Sequence, residues 1–226
     1  MKNIIITGTS RGIGFELAKK FAENNYQVLA VSRNVKPLDD YHHQNITTLS
    51  VDISIVEEIK KITAFVTSNW SDVAIVIHNA GLLINKPFDK LTNEDFINVY
   101  NVNVFGVAEI TRQLIPFMST GSHVLTISSM GGIQGSLKFP GLAAYSSAKG
   151  AVITLSEVLA EEYKESGIAF NVLAIGAVQT EMLTEVFPGY KAPLSASEMA
   201  DYIYHFSLTG NRYHNGKVLQ VSNSIP

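Results

Sequence analysis

Short runs dominated by isoleucine, valine and leucine recur along the chain, separated by longer stretches whose apolar residues fall at helical spacing. Residues 3–7 (NIIIT), 27–32 (QVLAVS), 46–51 (ITTLSV), 73–78 (VAIVIH), 123–128 (HVLTIS), 168–175 (IAFNVLAI) and 217–222 (KVLQVS) read as strands. Most are continuously apolar, not alternating, as strands covered on both faces are. After the first, GFELAKKFAENN spaces Phe15, Leu17, Ala18 and Phe21 as on a helix. Further helices are predicted from Ser54, with Glu57 completing a capping box, and from about Thr92 to Met118, with Thr92 and Asp95 spaced alike. Two more run from about 143 to 165 and after Ser195, which Glu198 follows at capping distance. Strands alternating with helices predict an α/β fold: a doubly wound, seven-stranded parallel sheet with helices on both faces. Ligands of such sheets bind at the carboxyl ends of the strands. With no internal linker or repeat, residues 1–226 are expected to form a single domain.

Composition narrows the function classes. Apolar residues make up 46% of the chain and charged residues 16%, which excludes a disordered chain. The net charge of −3 comes without any block of like charge, so neither a nucleic-acid footprint nor a basic membrane patch is expected. There are no cysteines, which excludes disulfides and thiolate chemistry. No apolar run approaches the roughly 18 residues of a membrane span. The first strand begins after two residues and leaves no room for a signal peptide, so a cytoplasmic location is expected. The six histidines show no ligand spacing, and no metal site is expected.

Between the first strand and the first helix lies TGTSRGIG (7–14). Gly8, Gly12 and Gly14 let the backbone turn sharply and approach a ligand, and the helix start offers free N–H groups to a pyrophosphate. The spacing is G-x-x-x-G-x-G, unlike the commoner G-x-G-x-x-G, and a ligand-free glycine turn is the alternative. At the end of the second strand, where an acid grips the ribose of NAD, stand Ser32 and Arg33, with no carboxylate before Asp39. A guanidinium there suits a 2′-phosphate, and Arg11 is a candidate second cation. The expectation is therefore NADP(H) over NAD(H), unless both arginines are merely solvated.

Tyr145 and Lys149 sit one helical turn apart among Ala144, Ser146, Ser147, Ala148 and Gly150. Small neighbours admit a close approach, and an ammonium near a phenol pulls its pKa down from about 10. The spacing alone is common and favours a solvated surface pair. Its company changes that reading. TGTSRGIG, NAG (79–81), NVNVFG (101–106), ISSMGG (127–132) and YSSAK (145–149) occur in this order, at strand ends or on the helices that follow. In this the chain resembles the short-chain dehydrogenase/reductase family over essentially its whole length.

The resemblance implies a Rossmann-type sheet and hydride transfer between a nicotinamide cofactor and a carbonyl/alcohol pair. It implies Tyr145 as acid/base and Lys149 as the residue that binds the nicotinamide ribose and lowers the tyrosine's pKa. Ser129, chosen over Ser128 because Gly132 completes S-x-x-G, would bond the substrate oxygen, and Asn103 would support a proton relay. Cofactor contacts are implied for Gly8, Ser10, Arg11, Gly12, Ile13, Gly14, Ser32, Arg33, Asp52, Ile53, Asn79, Ala80, Gly81, Val178 and Thr180, besides Tyr145 and Lys149. Plainer roles stay open: Asn103 as a brace, Asp52 as a helix-start acid, Ser128 and Ser129 bonded only to backbone. The family's Pro-Gly after the sixth strand is Ile175-Gly176 here. A small substrate loop is expected at about 181–195, with Met182, Leu183, Phe187 and Tyr190 as its apolar members. The pocket lining is expected to include Ile133, Leu137, Phe139 and Met182. Assembly as a homodimer or homotetramer through the helices at 92–118 and 143–165 is a further expectation. The resulting expectation is an NADP(H)-dependent reductase of ketones, aldehydes or 3-oxoacyl thioesters. An NAD-linked alcohol dehydrogenase and a catalytically silent NADP-binding sensor remain the alternatives.

Overall fold

A computed structural model of the chain describes residues 2–223. In chain order the elements are β1 (Asn3–Thr7), α1 (Gly12–Glu23), β2 (Gln27–Ser32), α2 (Lys36–Tyr41), β3 (Ile46–Ser50), α3 (Val56–Asn69) and β4 (Ile75–His78). There follow α4 (Asn93–Tyr100), α5 (Gly106–Leu114), β5 (His123–Ser129), α6 (Ala143–Glu162) and β6 (Ala169–Ile175). The chain continues with β7 (Val178–Gln179), α7 (Glu181–Val186), β8 (Leu194–Ser195), α8 (Ala196–Thr209) and β9 (Lys217–Val221).

Seven of the strands form one sheet in the order β3-β2-β1-β4-β5-β6-β9, every neighbouring pair parallel. The order reverses beside β1, which opens a crevice at the carboxyl ends of β1 and β4. Successive side chains of each strand serve opposite faces. Ile4 and Ile6 pack in one core with Leu17 and Phe21 of α1 and Ile203 of α8. Ile5 packs in the other core with Ile59 and Ile62 of α3 and Ile110 of α5. Because both faces are covered, both residue sets are apolar, and the strands read as unbroken hydrophobic runs. Each fully buried isoleucine or leucine contributes about 1.5–3 kcal/mol relative to exposure.

Two of the three expected capping boxes form. Thr92 accepts from Asp95 N–H while the Asp95 carboxylate accepts from Thr92 N–H, and Ser195 and Glu198 do the same. The box at Ser54 does not form. Both the N–H and the hydroxyl of Ser54 donate to Asp52 Oδ1, at 2.9 and 2.6 Å, and the helix starts later, at Val56. The expected continuous helix at 92–118 is α4 and α5 joined by a π-helical turn, Asn101–Phe105. At Gly106 a Cβ would press on the Ile53 carbonyl oxygen, so the helix meets that loop only because residue 106 has no side chain.

Candidate active site

The carboxyl ends of the central strands surround a cavity of about 610 Å³. The first wall is the turn between β1 and α1. Gly8 and Gly12 have φ of 75° and 59°, a region that favours glycine. A Cβ at Gly14 would overlap the Gly8 carbonyl oxygen, so this glycine seats the helix on the strand and does not itself line the cavity. α1 starts without a side-chain cap and without an acid in its first turn. Its N–H groups and the positive end of its dipole are thus left for an anion.

The turn is tied to the segment after β4. The Thr7 hydroxyl accepts from the N–H groups of Asn79 and Ala80, each at 3.1 Å. The Asn79 amide donates back to the carbonyls of Thr7 and Gly8, again at 3.1 Å. Thr7 was not singled out in the sequence, since a threonine closing a strand carries no signal of its own. Gly8, Ser10, Arg11, Gly12, Ile13, Asn79, Ala80 and Gly81 all line the cavity.

Ser32, Arg33, Asp52 and Ile53 line one end. Ser32 is buried and donates to the Asn34 carbonyl at 2.8 Å. The Arg33 side chain is 78% exposed and its nearest acid is Asp52, at 3.9 Å. Burial raises the Asp52 carboxyl, but the Ser54 hydrogen bonds and the Arg33 charge outweigh it and hold the group below its ordinary range.

At the other end Tyr145, in the first turn of α6, lies beside Ser129 at the tip of β5, whose hydroxyl accepts from Gly131 N–H at 3.2 Å. Lys149, one turn along, is buried and donates to the Ile127 carbonyl at 2.8 Å. Its Nζ lies 5.7 Å from the centre of the Tyr145 ring. Ser128 turns away and donates to the Lys149 carbonyl at 2.8 Å, which braces α6 and leaves Ser129 as the serine facing the phenol. Burial pushes the Tyr145 phenol up to about 12 against the Ser129 hydrogen bond, and draws Lys149 down to about 8. The expected lowering of the phenol by Lys149 is therefore not met in this chain by itself. Desolvation outweighs the Ser129 hydroxyl, which is the group that lowers the phenol here in place of Lys149.

The family model described as short chain dehydrogenase matches residues 2–191. The chain belongs to the short-chain dehydrogenase family. Members are oxidoreductases that use a nicotinamide cofactor. Among relatives, the chain is 30% identical to 3-amino-tetrahydro-pyrrolizinone reductase of Xenorhabdus hominickii, over 79% of this chain and 62% of that one. It thus spans less than two thirds of that relative's length. It is 29% identical to diacetyl reductase, (S)-acetoin forming, of Staphylococcus aureus, over 82% of this chain and 74% of the relative. Its fold is similar to that of a 3-ketoacyl-(acyl-carrier-protein) reductase from Brucella melitensis solved with NADH. That match has a TM-score of 0.88 and 24% identity, covering 99% of this chain and 97% of the other.

The residues of this short-chain dehydrogenase fit a dinucleotide. A glycine cradle, an uncapped helix start and two guanidinium groups line one continuous cavity. Val178 and Thr180 line it too, and Thr180 caps α7 by accepting from Leu183 N–H at 3.2 Å. Asn103 is buried outside the lining. Its amide donates to the carbonyls of Leu82 and Val99, both at 2.8 Å, and its Oδ1 accepts from Leu82 N–H. It positions the Gly81–Leu82 backbone beside Lys149. Of the expected pocket residues, Phe139 and Met182 line the cavity, as do Leu183, Phe187 and Tyr190. Ile133 and Leu137 do not, because the 133–137 turn points outward and leaves Leu137 exposed. Leu82, Leu83, Met130 and Leu142 were missed. They lie next to motif residues in sequence, but only the fold turns them inward.

Proposed function

We propose that the protein is an NADP(H)-dependent reductase that converts a ketone, an aldehyde or a 3-oxoacyl thioester to the alcohol. The meeting of the Tyr145 phenol with the Ser129 hydroxyl in a largely apolar cavity beside the glycine turn carries this reading. When bound, the reduced nicotinamide supplies the hydride to the carbonyl carbon. Tyr145 gives its proton to the carbonyl oxygen, and Ser129 donates a hydrogen bond to the same oxygen. Lys149, held between the Ile127 carbonyl and the tyrosine ring, keeps a positive charge beside the phenol as the proton leaves.

Reduction is the favoured direction because cellular NADPH usually serves reductions, and the protonated phenol is the form that gives a proton to the carbonyl oxygen. Arg33, exposed at the rim with Asp52 at 3.9 Å as its ion-pair partner among the described residues, supports the phosphorylated cofactor. The cavity that holds Tyr145 is also lined by Leu82, Phe139, Leu142, Met182, Leu183 and Phe187, with Glu181 leaning over Gly12. This favours a substrate that is uncharged near its carbonyl. α4, α6 and the π-helical turn expose Ile97, Val158 and Phe105, which supports a homodimer or homotetramer assembled through these helices.

Mixing the protein with NADPH and a panel of ketones, aldehydes and 3-oxoacyl thioesters tests the reading. Cofactor oxidation that depends on the carbonyl compound is expected. Tight NADPH binding with no turnover of any panel member would overturn it.

A further inference from the structure

Arg11 does not stand free for a ligand. Its guanidinium pairs in bidentate fashion with Glu185, the second contact being 2.9 Å, across 174 residues of sequence. Glu185 belongs to α7, the short helix that also carries Met182 and Leu183 into the cavity. Arg11 and Arg33 line the same cavity, yet only Arg11 has a carboxylate in contact; Arg33 has Asp52 no nearer than 3.9 Å.

We propose that Glu185 is a cofactor-specificity residue: from α7 it competes with a 2′-phosphate for Arg11. The proposal rests on the reading of Arg11 and Arg33 as the cations that receive that phosphate. A phosphate monoester offers three acceptor oxygens and up to two charges, so it can displace a single carboxylate from a guanidinium. The exchange has a cost equal to the pair it breaks, and that cost falls on NADP(H) alone. A cofactor without the 2′-phosphate leaves the Arg11–Glu185 pair intact. The same exchange releases α7 from the glycine turn. The helix then keeps its Thr180 cap and the hydrogen bond from Gln179 to Thr184. Glu185 thus weakens discrimination in favour of NADP(H) and couples the choice of cofactor to the hold of the glycine turn on α7.

The test is fluorescence titration of NADPH and of NADH into the wild type, Glu185→Gln, Arg11→Ala, Arg33→Ala and the Arg11→Ala/Glu185→Gln double variant, at one low salt concentration. Glu185→Gln is expected to tighten NADPH binding roughly two- to fivefold, the range of an exposed ion pair, and to leave NADH binding unchanged. In the Arg11→Ala background the same change is expected to do nothing. If Glu185→Gln leaves NADPH binding unchanged while the arginine variants weaken it, the competition is refuted and the cationic site stands. If Glu185→Gln still tightens NADPH binding without Arg11, Glu185 acts as a general charge and the proposal falls. If neither arginine variant weakens NADPH relative to NADH, the reading of the cations fails, and the proposal with it.

Discussion

Two buried histidines make the fold acid-sensitive in a calculable way. His123 Nδ1 donates to the Ser207 carbonyl at 2.9 Å, and Nε2 accepts from the Asn171 amide at 3.1 Å. That amide cannot turn round, since its nitrogen also donates to the His214 carbonyl and its oxygen accepts from Lys217 N–H. A second proton on His123 would face a donor in a fully buried position. Burial lowers its pKa from 6.5 to about 4, against the help of the Ser207 carbonyl and with a small contribution from the charge of His214. His78 is held lower, at about 3, by burial and then by the charge of Lys149. Its Nε2 bonds Thr111 Oγ1 at 2.8 Å, and that hydroxyl already donates to the Val107 carbonyl. The unfolded chain takes up these protons near pH 6.5 and the folded chain does not. Stability is therefore full above pH 6.5 and falls as the pH drops towards 4. At pH 5 each histidine costs about 2 kcal/mol, or about 4 kcal/mol for the two. For a chain of this size that lowers Tm by roughly 8–16 °C. Calorimetry at pH 7.5 and pH 5 on the wild type and on His123→Gln measures it. The variant is expected to lose about 2 kcal/mol less than the wild type over that interval. Equal losses would refute the reasoning.

Other predictions concern the site. Ser129→Ala is expected to lower kcat roughly 10²- to 10³-fold, as loss of a donor to the reacting oxygen does. Ser128→Ala removes only the brace to the Lys149 carbonyl, so it is expected to cost about 1 kcal/mol of stability with little loss of kcat. Steady-state kinetics and thermal melts of the two variants separate these effects. Gly14→Ala drives a methyl group into the Gly8 carbonyl and the Asn79 amide. It is expected to cost about 1–3 kcal/mol in melts and to weaken cofactor binding in titrations. Thr7→Val strands the N–H of Ala80, while that of Asn79 keeps the Ile77 carbonyl at 3.1 Å, and is expected to destabilise by about 1–3 kcal/mol.

The sheet was legible because a strand buried on both faces must be apolar throughout, as most of the seven runs are; the mixed runs at 46–51 and 217–222 are the part-exposed edge strands β3 and β9. The site was legible because motif residues lie at strand ends, and parallel strands bring those ends together. What escaped was of three kinds. The π-helical turn at Asn101–Phe105 keeps the apolar spacing of a helix, so no break shows in the pattern. α2, α7 and the two-residue strands β7 and β8 are too short to establish a period. Relations between distant residues leave no local trace: Asp52 taking the Ser54 hydroxyl needs a particular turn, and Arg11 meeting Glu185 needs the whole fold. The phenol's pKa belongs with these, since Y-x-x-x-K announces an ammonium one turn away but not how dry the cavity around it is.

In the proposed reaction Tyr145 hands its proton to a carbonyl oxygen inside this cavity. Kinetics of Tyr145→Phe with NADPH and a carbonyl compound reduced by the wild type, together with titration of NADPH into the same variant, test it most directly. Turnover is expected to fall roughly 10²- to 10⁴-fold while the Kd for NADPH stays unchanged. Turnover within tenfold of the wild type would contradict it.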